Sequence, residues 1–250
     1  MIKNIIAVMS GKGGVGKSFV SSLLAVNLRR EGKKVGIMDA DITGPSIPKI
    51  FGLDNERATV IDGKIQPVET KTGIKVMSLN LLLEEKNKPV IWRGPLISNA
   101  VSQFYNDTEW GELDYLVIDL PPGTADVTLT VMQSIPLNSM IIVTSPQDLV
   151  NLIVEKSIHM GKKMNISILG MVENMSYTVC PDCGKKIFLY GKSKAERISR
   201  ELNIKLLSQL PINSEFTSLC DTGCIEDFSP EFKEFGDLGK KVLENIKESE

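Results

Sequence analysis

A short segment near the start of the sequence has the residue types and spacing that hold a phosphate. Residues 10–18 read Ser-Gly-Lys-Gly-Gly-Val-Gly-Lys-Ser and directly follow an apolar run. The glycines let backbone N–H groups turn inward around phosphate oxygens, Lys17 can reach the outer phosphates, and the Ser18 hydroxyl can bind Mg²⁺. The segment therefore predicts a nucleotide-binding loop made of Gly11, Lys12, Gly13, Gly14, Val15, Gly16, Lys17 and Ser18.

Two acidic segments could complete this site from neighbouring strands. Asp39, with Asp41 two residues later, ends one apolar run, and Asp119 ends another. Carboxylates at the carboxyl ends of parallel strands lie beside the ligand crevice of an open α/β sheet, where they can hold Mg²⁺ or orient an attacking water. Asp39 and Asp41 could instead be two turn-forming aspartates. After Asp119, two prolines and Gly123 predict a stiff turn, and we expect the Gly123 N–H to sense a γ-phosphate.

A cysteine pair in a polar stretch could bind a metal. Cys180 and Cys183 are separated by two residues, and Gly184 follows them. Two such thiolates can hold one metal ion or one edge of an iron–sulfur cluster, whereas a structural zinc site or a cubic cluster needs four ligands. Cys220 and Cys224 could supply the other two, or the same pair of a second subunit could do so across a two-fold axis. A thioredoxin-like redox role is a third option, but it would place the pair at the start of a helix.

Alternating strands and helices must position these residues. Apolar runs predict strands at 3–9, 34–39, 74–79, 115–119, 139–144, 166–173 and 204–210. Helical patterns follow at 15–30, 96–106, 148–163, 193–202 and 230–247. The alternation predicts an α/β fold over residues 1–250: one domain with a doubly wound, mostly parallel sheet of seven to eight strands and a cysteine-bearing loop at about 176–190.

Composition narrows the function classes. The formal net charge of -2 gives no general reason to expect nucleic acid or an anionic membrane as a partner. No apolar run approaches the roughly 20 residues of a membrane-spanning helix, and the first residues carry no export signal. We therefore expect a soluble, cytoplasmic protein, in which the four cysteines are thiols or metal ligands rather than disulfides.

Taken in chain order, the motifs resemble those of the Mrp/NBP35 family of P-loop ATPases, within the MinD/ParA-like group that has a deviant Walker A loop. The matching segments are 11–18, 39–46, Trp92-Arg93-Gly94-Pro95, 119–124, 173–176 and 180–184. The resemblance implies the P-loop NTPase fold and an ATPase. It also implies that Lys12 reaches across a nucleotide-sandwich homodimer to the partner's phosphates, as an arginine finger does.

The resemblance further implies roles for individual residues around ATP. Asp41 would position the hydrolytic water, and Asp39 and Asp119 would lie around Mg²⁺. Asn174, which follows a predicted strand, would read adenine together with backbone near Pro211. From its position alone, Asn174 could equally be a turn residue.

Members of this family act as scaffolds or carriers of iron–sulfur clusters. The resemblance implies a [4Fe-4S] cluster bridged between two subunits by Cys180 and Cys183 of each, and apo iron–sulfur proteins as recipients. Cys220 and Cys224 depart from the family pattern and could be spare thiols or further ligands. Two alternatives remain: a MinD- or ParA-like spatial organiser that binds membrane or DNA, and an ATPase whose dimer is held by zinc at the cysteine pair.

Overall fold

Strands and helices alternate along the chain as the sequence predicts. The strands are β1 (Ile2–Ser10), β2 (Val35–Asp39), β3 (Thr59–Ile61), β4 (Lys64–Gln66), β5 (Val68–Glu69), β6 (Lys75–Met77), β7 (Leu113–Asp119), β8 (Ser139–Thr144), β9 (Ser167–Glu173), β10 (Thr178–Val179), β11 (Lys186–Ile187) and β12 (Leu206–Gln209). The helices are α1 (Lys17–Arg30), α2 (Ile47–Ile50), α3 (Gly94–Asn106), α4 (Asp126–Ser134), α5 (Val150–Lys163), α6 (Ala195–Leu202), α7 (Ser214–Asp221), α8 (Lys233–Gly236) and α9 (Leu238–Ser249).

This computed structural model describes residues 1–42, 44–82, 94–123, 126–147 and 150–249, and no side chain is described at 94–98, 126–127, 150–151 and 249. Thr43, Trp92, Arg93 and Thr124, which belong to the predicted motifs, lie outside the described residues. Within the described ranges, no helix combines the length and apolar character needed to cross a membrane.

One large sheet carries the fold. Its strand order is β12-β9-β8-β1-β7-β2-β6-β5, and all neighbours are parallel except β5 and β6. Each of the seven predicted strands corresponds to one strand of this sheet. The eighth, β5, is a two-residue antiparallel edge strand in a stretch whose sequence is too polar and turn-rich to predict it. The predicted α/β class and mostly parallel sheet of seven to eight strands are confirmed.

Helices cover both faces of the sheet because side chains alternate along its strands. On β1, Ile6 and Val8 face a core formed with α1, α7, α8 and α9. Ile5, Ala7 and Met9 face the opposite core, formed with α3, α4, α5 and α6. The sheet is therefore doubly wound, and its central strand leads directly into the glycine-rich segment.

The carboxyl ends of three adjacent strands bring the predicted nucleotide site together. β7 lies between β1 and β2, so that Asp119 is the register partner of Val8 on one side and of Asp39 on the other. Adjacent parallel strands place their carboxyl ends at one edge of the sheet. This register positions both carboxylates next to the loop that follows β1.

Candidate functional site

The predicted phosphate-binding loop joins β1 to α1, and its path requires glycine. Gly14 and Gly16 have φ angles of 80° and 79°, in the left-handed region that side chains disfavour. A Cβ at Gly16 would also lie 2.2 Å from Nδ2 of Asn174, and one at Gly11 would lie 1.6 Å from Cγ2 of Ile153. The loop thus depends on its glycines both for backbone conformation and for close packing.

A buried ion pair lies directly beneath the loop. Nζ of Lys17 is 2.8 Å from Oδ1 of Asp119, and the two side chains are 6% and 0% exposed. The Ser18 hydroxyl donates to Oδ2 of Asp119 at 2.5 Å, and the Ser21 hydroxyl donates to Oδ1 at 2.6 Å. The Ser18 hydroxyl and the Asp119 carboxylate are adjacent hard oxygen donors, which is the ligand type that Mg²⁺ prefers.

Asp39 lies beside this ion pair and is almost completely buried. Its carboxylate oxygens accept backbone N–H groups from Asp41 at 3.1 Å, Ser46 at 3.0 Å and Ile47 at 3.2 Å. Burial, with the nearby negative charge of Asp119 as the second cause, raises the pKa of Asp39 to about 8. Burial and the neighbouring carboxylate thus favour the protonated form of Asp39, while Asp119 is paired with Lys17.

A cavity of about 290 Å³ opens above these groups. Asp41 lines it together with Gly13, Gly14, Lys17 and Ser18. These residues come from two sequence motifs, and Pro122 adds a third, so that the structure brings all three to one space of the size that a phosphate chain needs. Asp41 lies on the segment between β2 and α2, where it can approach a group bound on the loop.

Lys12 and Gly123 are among the predicted residues that do not line this cavity. Nζ of Lys12 donates to the side-chain oxygen of Gln147, in the segment after β8 of the same chain. The Gly123 N–H, which the sequence predicts to sense a γ-phosphate, donates instead to the Ser10 carbonyl at 2.8 Å. For Gly123 to act as predicted, this hydrogen bond must open.

A second cavity, of about 350 Å³, adjoins the first and shares Gly16 and Phe19 with it. Asn174 and Pro211, the residues predicted to bind the base, both line it. The Asn174 amide is 4% exposed and donates to the Val15 carbonyl at 2.9 Å. Because Nδ2 is held by the loop, Oδ1 is the amide atom that can accept from an amino group of a base.

Sequence reasoning missed several residues of this second cavity. Phe216 and Phe235 form part of its apolar wall, with ring centroids 3.8 Å apart in a stacked arrangement. Phe216 lies on α7, a helix that the sequence patterns do not predict. The signal for this helix is Asn213, whose side chain accepts from the N–H groups of Glu215 and Phe216 as an N-cap.

Cys180 and Cys183 lie in the turn of a small hairpin formed by β10 and β11. Thr178 pairs with Ile187 in an antiparallel register, and the Gly184 N–H closes the turn by donating to the Cys180 carbonyl at 2.9 Å. Backbone N–H groups of Cys183 and Asp182 lower the pKa of the Cys180 thiol. The turn therefore favours a thiolate at Cys180, which is the form that binds metals.

The other two cysteines are in a different environment. Cys220 lies on α7 and lines the second cavity, where burial raises the pKa of its thiol to about 11. In the described ranges, which include all four cysteines, no group of three or more His, Cys, Asp or Glu side chains is placed to hold a metal. A four-cysteine site within one chain, one of the two alternatives left open by the sequence, is therefore not formed.

Known proteins with similar sequences indicate the family of this chain. The ParA family profile described as NUBPL iron-transfer P-loop NTPase matches residues 1–246. An iron-sulfur cluster carrier protein of Clostridium perfringens is 48% identical over 237 residues, which cover 92% of this chain and 83% of that protein. A protein of the same description from Methanocaldococcus jannaschii is 46% identical over 249 residues, covering 98% and 86%.

Solved structures show the same architecture. A nucleotide-binding protein of Archaeoglobus fulgidus in complex with ADP is 47% identical, with a TM-score of 0.84 over 94% of this chain and 92% of that one. The septum site-determining protein MinD of Pyrococcus horikoshii, complexed with Mg-ADP, is 22% identical, with a TM-score of 0.71 over 99% of both chains. At that identity the likeness to MinD shows the fold alone.

Proposed function

The chain belongs to the family of NUBPL iron-transfer P-loop NTPases, and from that premise we propose that it is an ATPase that carries a [4Fe-4S] cluster. In this proposal a homodimer binds the cluster at its interface and transfers it to apo iron–sulfur proteins. One observation carries the proposal. The chain has a nucleotide cavity lined by several predicted motifs, but in the described residues it has only a two-thiol pair where a cluster needs four ligands.

The nucleotide site supports ATP binding and hydrolysis. Ser18 and Asp119 would hold Mg²⁺, and a bound Mg²⁺ would neutralise charge on the phosphate oxygens. Lys17 would then exchange its pairing with Asp119 for the outer phosphates, and Asp41 would orient the attacking water. Asn174 and the backbone near Pro211 would hold adenine.

A second subunit would complete both sites. Lys12, which contacts Gln147 of its own chain, would reach the partner's phosphates and make charge stabilisation depend on assembly. Two thiolates from each subunit would give the cluster its four ligands across a two-fold axis. Nucleotide state would thereby control the geometry around the bridging cluster.

The partners in this proposal are a second copy of the chain and apo-proteins in the cytoplasm. The formal net charge of -2 favours these partners over nucleic acid or an anionic membrane. The names of the relatives at 48% and 46% identity favour an iron–sulfur cargo over zinc. The thiol pair itself is compatible with either metal.

Anaerobic reconstitution with ferrous iron and sulfide tests the proposal directly. We expect a brown dimer with about two iron atoms per chain, since one four-iron cluster would be shared by two chains. We also expect it to restore an apo iron–sulfur enzyme. Absorbance, iron and zinc analysis and the mass of the native assembly measure these properties.

Two outcomes would contradict the proposal. A colourless protein loaded with zinc and unable to take up iron and sulfide would favour the zinc-held dimer. ATP-dependent retention on liposomes or nonspecific DNA, lost at high salt, would favour a spatial organiser.

A further inference from the structure

The hairpin of β10 and β11, called the cysteine hairpin below, begins at the wall of the second cavity. This cavity is called the base cavity, because it contains the residues predicted to bind the base. The chain enters the hairpin directly after Asn174, which lines that cavity. Next, the Ser176 N–H donates to the Leu210 carbonyl at 2.9 Å, and the Tyr177 carbonyl accepts from the Ile212 N–H at 2.6 Å. The first strand of the hairpin is therefore fixed to the segment that carries Pro211.

The hairpin also returns to the same cavity. Tyr190, three residues after β11, is one of its lining residues. Beyond it, the Ser193 hydroxyl accepts from Nε2 of Gln209 at 2.7 Å and from the Ala195 N–H at 3.1 Å, at the start of α6. Both ends of the hairpin are thus attached beside the predicted base-binding residues.

Contacts inside the hairpin connect its two strands to a buried ring. Tyr177 is buried, and its ring lies 6.4 Å from the ring of Phe188, centroid to centroid. Nζ of Lys186 lies 3.9 Å from the centroid of the same Tyr177 ring. A displacement of the segment at 188–190 would therefore be passed to the strands that hold Cys180 and Cys183.

Tyr190 has the features of a residue that a ligand covers. It is 45% exposed although it lines a cavity whose other walls include Phe19 and Phe216. Aromatic rings stack on nucleobases, and that contact strengthens binding substantially. We infer that the Tyr190 ring contacts the base of a bound nucleotide and thereby couples nucleotide occupancy to the position of the cysteine hairpin.

This inference rests on the proposed nucleotide binding, and calorimetric titration with ATP or ADP tests its first part. We expect Tyr190→Ala to weaken binding about tenfold through the loss of base stacking. Tyr190→Phe keeps the ring and should bind as the wild type does. Leu189→Ala is the matched control, because Leu189 is 60% exposed on the same segment and is not one of the cavity residues.

Alkylation of the metal-free, reduced protein by iodoacetamide tests the coupling. The rate is read separately for Cys180 and Cys183 by peptide mass spectrometry, without nucleotide and with enough nucleotide to saturate each variant. In the wild type, Tyr190→Phe and Leu189→Ala, we expect nucleotide to change the Cys183 rate about threefold or more. In Tyr190→Ala, saturating nucleotide should leave the rate unchanged.

Three results would overturn the inference. The first is a nucleotide affinity of Tyr190→Ala within about twofold of that of the wild type. The second is an alkylation rate of Cys183 that still changes with nucleotide in Tyr190→Ala. The third is an alkylation rate that does not change in a wild-type protein that binds nucleotide. Each leaves the proposed ATPase intact. A wild-type protein that binds no nucleotide at all would instead remove the proposed function, and the inference with it.

Discussion

The phosphate-binding loop and the cysteine hairpin differ in where their partners come from. Lys17 and Asp119 are buried, and each is paired with groups of the same chain that lie far away in sequence. Cys183 is exposed, and the groups that stabilise a thiolate at Cys180 belong to its own turn. Long-range packing pairs the charged groups of the first region, whereas the local backbone of the turn stabilises the thiolate of the second.

This difference distinguishes the site that one chain forms by itself from the site for which we propose a second subunit. The core that stabilises the sheet also positions Lys17 and Asp119, so the loop is shaped before any ligand arrives. The hairpin provides two thiols, and exposed apolar side chains lie on its last residue and just after it, at Ile187, Phe188 and Leu189. Exposed apolar residues are typical of a surface that another protein covers, which agrees with the proposed dimer at the thiol pair.

Lys17→Ala should have the largest effect, because it damages both binding and folding. It removes the cation that reaches the phosphates, and it leaves the Asp119 carboxylate buried without its counter-charge. We expect ATP binding to fall by more than about 100-fold and the free energy of unfolding to fall by about 3–5 kcal/mol. Calorimetry and urea denaturation measure the two quantities.

The exposed ion pair between Lys3 and Asp114 provides the control for Lys17→Ala. Lys3→Ala removes a solvent-screened pair and should leave both stability and binding close to those of the wild type. Equal stability of the two variants would mean that the Lys17–Asp119 pair does not hold the loop region together.

Cys180→Ala should separate the two regions. We expect complete loss of iron uptake and of cluster transfer, since one ligand of each subunit is removed, while nucleotide affinity and stability remain those of the wild type. Iron analysis after reconstitution, an apo-enzyme activation assay and calorimetry measure these. Cys224→Ala is the matched control and should load and transfer normally. Normal transfer by Cys180→Ala would remove this cysteine from the cluster site.

Lys12→Ala tests whether the loop also needs a second subunit. Lys12 does not line the phosphate cavity of its own chain, so we expect ATP binding to be largely retained. Hydrolysis should fall about 100-fold, as when one transition-state donor is removed. The hydrolysis rate per chain, measured against protein concentration, checks this.

Gln147→Ala is the control for Lys12→Ala, because it removes the contact within the chain and keeps the lysine. It should hydrolyse ATP as the wild type does. Full hydrolysis by Lys12→Ala, or equal losses in both variants, would contradict a role for this lysine across the dimer.

The same contrast explains how much the sequence could predict. Short motifs in the sequence predict the loop, Asp39, Asp119 and the two-cysteine turn. Residue type and spacing within each motif are enough to indicate its chemistry. Tyr190 could not be predicted, since it reaches the base cavity only through tertiary packing from a polar stretch. The hydrogen bond from the Gly123 N–H to the Ser10 carbonyl could not be predicted, because this acceptor lies on another strand end. The helix α7 was missed although its Asn213 cap is present in the sequence.

Asp39→Asn should act only on the buried region, where it changes how stability depends on pH. The pKa of Asp39 is raised from 3.8 to about 8 in the folded protein. The contribution of Asp39 to the free energy of unfolding is therefore fully present below pH 4. It decreases as the pH rises and is lost once the pH has passed through 8, where the folded-state carboxyl gives up its proton. Between pH 5 and 8 this group should lower the free energy of unfolding by at most about 1.4 kcal/mol per pH unit.

Asparagine does not titrate, so the variant should lack this contribution to the slope of the free energy of unfolding against pH. Urea denaturation at several pH values measures the slope. Asp114→Asn is the control. Hydrogen bonds from Lys3 and the Lys34 N–H lower the pKa of Asp114, whose contribution is lost only as the pH falls through that lowered value. Asp114→Asn should therefore keep the wild-type slope between pH 5 and 8. An unchanged slope in Asp39→Asn would mean that Asp39 is already ionised beside Asp119, with its charge stabilised by the three backbone N–H groups and by Lys17.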